Sequence, residues 1–491
     1  MEISRRRFGA CALGAFASRA WSAPTRPKLT VLVIVEQLRS DALDAAWPQF
    51  GAGGFKRLAE KGAWYTGCRH LCSTFSATGL ANLSTGTWPA QHGIVADSWW
   101  DYAAHRPIKA SEEALLATTL AAQAIDAGMR VAVVAMTRAD GAVFAGTPDA
   151  RLYFMDDHGQ YTCIGAQPDW LDEHNRAKGS ESARDAKWMA LNAAPDAPAL
   201  RTLKYDANHP SEFLALYKAS PFGQTAVFEM AADLVVQDRL GLGNTPDLLC
   251  LIDSSSALLG YDTGGGSHAA LMNQMVLHLD RRIESLLNQL TKAVGENGFN
   301  LVVSAAHGAP PEPAKETRAR MAVDGESVAA LVEAALKNTG RHLEKYLYPF
   351  LYLDRAATAG GAETVRRLAA DAALAHPAVL GYYTAGGDCS ENDEWRRRFQ
   401  NSFYAKRSGD VMLSYRPEYV EDFHAGRGIS YGSLYNYDTN VPLFLYGPQF
   451  RTGVFDAPVE AVDVAPTLAR TMGVADPSSS IGRVLSEALA L

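Results

Sequence analysis

The chain has 491 residues, 47% of them hydrophobic and 20% charged, with 41 Gly and 23 Pro. This ordinary globular composition excludes a collagen-like, low-complexity or wholly disordered protein. Its 54 acidic residues outnumber 46 Lys and Arg, a formal charge of -8, so no basic excess exists to neutralise a phosphate backbone and no nucleic-acid partner is expected.

In chain order, residues 1–23 come first. Arg5, Arg6 and Arg7 precede Phe8, a short apolar run and a small-residue stretch ending near Ala23, the layout of a cleaved signal peptide of twin-arginine type. The apolar run 8–17 is too short to cross about 30 Å of hydrocarbon, and no later stretch reaches about 18 consecutive apolar residues. The mature chain, 24–491, is therefore expected to be a single domain without a transmembrane segment, periplasmic or secreted from a bacterium. Of six cysteines, Cys11 lies in the signal and Cys68, Cys72, Cys163, Cys250 and Cys389 remain. An odd count is not a disulfide framework; a bridge between Cys68 and Cys72 stays open, and Cys250 sits in an apolar strand pattern.

Short β-rich apolar runs at 29–35, 130–135, 247–252, 301–305, 410–415 and 442–446 predict strands. Helical periodicity marks 115–127, 225–239, 268–294, 327–337, 362–375 and 464–472, with Leu271, Met275, Leu279, Ile283, Leu286 and Leu290 forming one apolar face. Alternation of the two predicts a three-layer α/β/α sandwich around a mainly parallel sheet. Between about 148 and 243 the composition turns polar and irregular, which fits an inserted cap. A smaller irregular insertion is expected at about 309–348.

The segment 76–94, Ser-Ala-Thr-Gly-Leu-Ala-Asn-Leu-Ser-Thr-Gly-Thr-Trp-Pro-Ala-Gln-His-Gly-Ile, resembles the nucleophile segment of the alkaline phosphatase superfamily. The likeness is greatest to the phosphate-irrepressible alkaline phosphatases and the type I phosphodiesterase/nucleotide pyrophosphatase branch. Supporting matches run in order through Val-Ile-Val-Glu-Gln (33–37), Ser-Pro-Phe-Gly-Gln (220–224), Thr-Pro-Asp-Leu-Leu (245–249), Ala-His-Gly (306–308), Arg-Ser-Gly-Asp-Val-Met (407–412), Asn-Tyr-Asp-Thr-Asn-Val-Pro (436–442) and Asp-Val-Ala-Pro-Thr (463–467). The resemblance implies two zinc ions clamping a phosphoryl group, with Ser76 at the nucleophile position opening a helix.

Carried over residue by residue, the resemblance places Glu36, Ala306 and His307 where the ligands of the nucleophile's metal stand. It places Ala257, Tyr261 and Tyr431 where those of the second metal stand. A methyl cannot coordinate a cation, and a neutral tyrosine is a poor zinc ligand. The phosphate-contact positions fall on Asp97, Arg138 and Asp140, where carboxylates replace groups that would meet a dianion. Glu36, Ser76 and His307 survive as a weak remnant set for a single zinc where the family binds two. Asp41, Asp253, Asp262 or His268 are candidates to rebuild a site, Asp262 first. The expectation is thus a pseudo-hydrolase with impaired or absent phosphoester hydrolysis, its cleft open to an unknown ligand or protein partner. The alternative is an active phosphomonoesterase or phosphodiesterase using Ser76 with a single or rearranged metal site. His92 reads as a structural residue of a turn. Gly264–Gly266 lack the context of a nucleotide loop.

Overall fold

The computed structural model describes residues 26–194, 196–261, 268–311, 322–354, 361–417, 419–421 and 431–490. The expected signal peptide and Asp262 lie outside the described residues. Strand Leu29–Glu36 (LTVLVIVE) is buried at every position, as a β-branched run covered on both faces should be. It lies between Asp247–Asp253 and Phe299–His307, parallel to both, with Val31 opposite Leu249 on one side and Leu301 on the other. These are the three neighbouring parallel strands expected from the sequence.

Outward from this centre the sheet continues through Arg130–Ala135, Arg151–Met155 and Tyr161–Cys163 on one side, and Asn440–Tyr446, Ala63–Arg69 and Gly453–Phe455 on the other. With Val459–Glu460 it has ten strands, most of them paired parallel. Asn440–Tyr446 runs antiparallel to both neighbours, and Tyr161–Cys163 is antiparallel at the edge. Helices Pro221–Gln237 and His268–Val294 pack together in one layer, while Ser76–Thr85, Leu120–Asp126, Arg138–Ala145 and Val464–Met472 form another. The predicted stripe from Leu271 to Leu290 is buried.

The boundary expected at 148 does not coincide with a break in the sheet. Arg151–Met155 and Tyr161–Cys163 extend its edge, and Pro221–Gln237 packs on Asp247–Asp253. These strands are only five and three residues long, too short for their alternation to stand out in a polar stretch. The separate layer instead comes from the second expected insertion and the residues after it. Leu343–Leu347, Phe350–Leu353, Val411–Tyr415 and Val379–Thr384 form a four-stranded antiparallel sheet. Val328, Val332, Leu336, Ala369, Ala370 and Ala373, from helices Gly325–Leu336 and Ala362–Leu374, share a core with Leu351, Val379 and Leu413. The strand expected over 410–415 therefore belongs to this second sheet.

Cys68, Cys72, Cys163, Cys250 and Cys389 are free thiols, the first four buried. Among the described residues no helix is long and apolar enough to cross a membrane.

Candidate active site

The carboxyl ends of the central strands gather the chemistry. Strand Leu29–Glu36 pairs in regular register with Phe299–His307 until a bulge after Val35, where Val35 faces Ala305 but Glu36 faces His307. The bulge skips Ala306 and sets Glu36 and His307 opposite each other. Ser76 is the first residue of helix Ser76–Thr85, following extended Phe75. That helix can approach the bulge because Gly79 has no side chain: a Cβ there would lie 1.9 Å from the Ala306 carbonyl oxygen.

Ser76 Oγ lies 2.9 Å from Glu36 Oε2, 3.1 Å from His307 Nε2 and 3.2 Å from the Tyr431 hydroxyl. The hydroxyl has one proton for these three neighbours. His307 Nδ1 lies 2.7 Å from the Gly308 carbonyl oxygen, which can only accept, so Nδ1 carries the imidazole proton and Nε2 turns its lone pair toward Ser76. Burial pushes His307 down to about 3, so it stays neutral. Burial first, then the charges of Asp140 and Asp97, push Glu36 well above the carboxylate range. The Ser76 hydroxyl donates to Glu36 Oε2, and His307 Nε2 and the Tyr431 hydroxyl stand within reach of the same oxygen.

Tyr431 closes over this group. Its ring stacks on His307 with centroids 4.2 Å apart, and its hydroxyl donates to Asp97 Oδ2 at 3.2 Å. Asp97 Oδ1 accepts the Ala77 N–H at 2.9 Å, so a side-chain carboxylate occupies the first turn of the Ser76 helix, where the helix dipole favours an anion. Burial leads the causes that raise Asp97 to about 6, with Asp140 adding to it. Asp140 accepts from Thr137 Oγ1 at 2.6 Å and Ser254 Oγ at 3.1 Å, and burial raises it too. With the Ser254 proton given to Asp140, Glu36 Oε1 is buried without a partner.

The structure therefore brings Glu36, Ser76, Asp97, Asp140, His307 and Tyr431 to one edge. It does not bring Arg138, which is exposed and pairs with Glu112 at 3.2 Å. Asp253 is also turned away: Gln224 Nε2 donates to it at 3.0 Å, and Ser255 donates through both backbone and hydroxyl. Ala257 and Ala306 are buried methyl groups, and Tyr261 closes helix Ser255–Tyr261. Two residues were not singled out in the sequence. Ser254 bridges toward Asp140, and its signal was the serine run at a strand end. Gln37 follows Glu36 with φ 60°, buried and with both amide atoms unpartnered, which no sequence pattern announces. His92 is buried and its Nδ1 accepts the Ile94 N–H at 3.1 Å, consistent with a turn residue.

Among the described residues, the side chains gathered at this edge do not present the donors that two zinc ions need. Two of the positions that should supply ligands carry methyls, and the Tyr431 phenol is engaged by Ser76 and Asp97. Among the described residues no three His, Cys, Asp or Glu side chains group so as to hold a metal ion.

A large mostly parallel sheet with a helix-opening serine set against strand-end acid and imidazole groups defines a hydrolase-like protein of the alkaline phosphatase superfamily. The chain belongs to the type I phosphodiesterase / nucleotide pyrophosphatase family, which it matches over residues 30–427. It is 23% identical to alkaline phosphatase PafA of Elizabethkingia meningoseptica, over 97% of each protein. It is also 23% identical to alkaline phosphatase PhoV of Synechococcus elongatus, over 94% of this chain and 93% of that one. The crystal structure of wild-type PafA superposes with a TM-score of 0.83 at 22% identity, covering 95% of this chain and all of that one, which establishes the shared fold.

Proposed function

We propose that this chain is an exported pseudo-hydrolase of its family, in which phosphoester hydrolysis is impaired or absent and the cleft serves an unidentified ligand or partner. The observation that carries this reading is the closure of Ser76 by Glu36, His307 and Tyr431, with the Asp97 carboxylate on the adjoining Ala77 N–H. A phosphoryl dianion would have to displace that carboxylate and approach Asp140 without the cations that make such a transfer fast. Each 1.36 kcal/mol of missing transition-state stabilisation is about a tenfold loss in rate. Export rests on the Arg5–Phe8 segment and the small residues up to Ala23. Intact-mass measurement of secreted or periplasmic material should show a chain beginning near residue 24.

The deciding experiment measures zinc by elemental analysis after dialysis, alongside turnover of 4-nitrophenyl phosphate and bis(4-nitrophenyl) phosphate with and without added zinc. The expected result is far less than two equivalents of zinc and no turnover that depends on Ser76. Two firmly held equivalents, or robust turnover that zinc restores and Ser76→Ala abolishes, would establish the other reading, an active phosphoesterase with a single or rearranged metal site. That reading draws its support from the convergence of Glu36, Ser76 and His307.

A further inference from the structure

A second cleft lies away from Ser76. It encloses about 550 Å³ between the strand and loop from Lys187 to Ala194, the first turn of helix Pro221–Gln237, and residues His278 and Arg282 of helix His268–Val294. That volume is in the range of small-molecule sites. Lys187 and Arg282 supply positive charge, the first turn of a 17-residue helix adds the positive end of its dipole, and among the described residues no carboxylate lines the cleft. Three N–H or ring-nitrogen atoms of lining side chains, Trp188 Nε1, His278 Nε2 and Arg282 Nε, are buried with no hydrogen-bond partner. Leaving such groups unpaired costs about 1–3 kcal/mol each.

Arg282 contrasts with its neighbour. Arg281 is paired with Glu284 at 3.2 Å, whereas Arg282 has no ion-pair partner among the described residues and faces a histidine instead. Burial and then the Arg282 charge push His278 down to about 4, a shift that an anion bound between them would oppose. Both side chains are half-buried, so modest rotations bring their nitrogens to an acceptor in the cleft. Leu191 and Phe222 supply apolar wall.

We propose that this cleft binds a small organic acid, its acid group held by Arg282, His278 and Lys187 and its apolar body against Phe222 and Leu191. Isothermal titration of the full mature chain with 2-naphthoate and naphthalene-2-sulfonate tests it, with the neutral isostere 2-naphthamide and inorganic phosphate as comparison ligands. Both naphthyl acids should bind with one-to-one stoichiometry, and the amide and phosphate at least tenfold more weakly. Arg282→Ala should weaken the acids at least tenfold and Lys187→Ala about threefold, while Arg281→Ala leaves them unchanged. Ligand should also move the NMR titration of the His278 ring to higher pH. Lys187, being exposed, serves as the variant that keeps its fold if Arg282→Ala does not. Equal affinity for acid and amide, unchanged affinity in both Arg282→Ala and Lys187→Ala, or no acid binding at millimolar concentration would overturn the proposal.

Discussion

The two halves of the strand-end cluster hold their polar groups in different ways. On the side of Ser76, Glu36 and His307 remain and are tied to the serine within 3.1 Å. On the side of Asp253 the carboxylate accepts from Gln224 and Ser255, Ala257 presents a methyl, and the Tyr431 ring stacks on His307. One half has polar side chains bonded to one another across the gap, while the other is held by local hydrogen bonds and packing. The comparison teaches that strand-end polar groups can be held across the gap on one side and by local hydrogen bonds on the other, with Glu36 Oε1 left unpartnered between them.

The harshest way to break the first half is Gly79→Val. Its Cβ would fall 1.9 Å from the Ala306 oxygen, a backbone atom that cannot step aside, so a loss of about 4 kcal/mol or more is expected. Urea unfolding checks this, and a loss under about 1 kcal/mol would mean that the helix does not rest on the bulge. Next in size is Tyr431→Ala, which strips the stacked ring from His307 and exposes the Ser76 group. A cost of about 3 kcal/mol is expected, whereas Tyr431→Phe, which keeps the ring and loses the hydroxyl, should cost about 1 kcal/mol.

A pH experiment sharpens the comparison at its border. Asp438, whose carbonyl accepts the Gly308 N–H, is pushed up to about 7, by burial above all, against the pull of Ser433 and Arg39. The folded chain keeps this proton until about pH 7, while the unfolded chain releases it near pH 4. The folded state therefore binds more protons in that window, and stability falls as pH rises from about 4 to about 7. Asp438→Asn should flatten that fall, gaining on the order of 2 kcal/mol over the parent at pH 8 relative to pH 5. Parallel slopes in the two proteins would refute the assignment. The smallest effect belongs to Arg138→Ala. The side chain is exposed and its ion pair with Glu112 is a surface one, so melting should change by less than about 0.5 kcal/mol, and any ligand affinity of the Ser76 cleft should not change at all.

Much of this molecule was readable before its structure. The buried strands Leu29–Glu36, Asp247–Asp253 and Phe299–His307 announce themselves as apolar runs, and the long helix His268–Val294 shows its stripe. Short strands such as Tyr161–Cys163, Leu343–Leu347 and Phe350–Leu353 do not, because three to five residues carry too little periodicity to separate strand from loop; Val411–Tyr415 reads as a strand, but its place in a second sheet does not show. At the cluster, residue types at strand ends and the opening of the Ser76 helix were legible through the family resemblance. What a changed residue does in its new setting was not. Tyr431 reads in sequence as a missing ligand, and only three-dimensional packing reveals it as a stacked ring whose hydroxyl ties Ser76 to Asp97. Arg138 shows the converse, since a position named by resemblance turns to solvent once Glu112 is near.

The bulge at Ala306 divides labour between main chain and side chain. The helix bearing Ser76 is seated by the backbone oxygen of residue 306 against Gly79, a contact made by main chain and not by the 306 side chain. Position 79 is fixed by clearance against that oxygen, whereas position 306 is constrained by the packing around its buried methyl. Ala306 is itself fully buried, so a carboxylate placed there would have to find a partner among the strand-end groups rather than water.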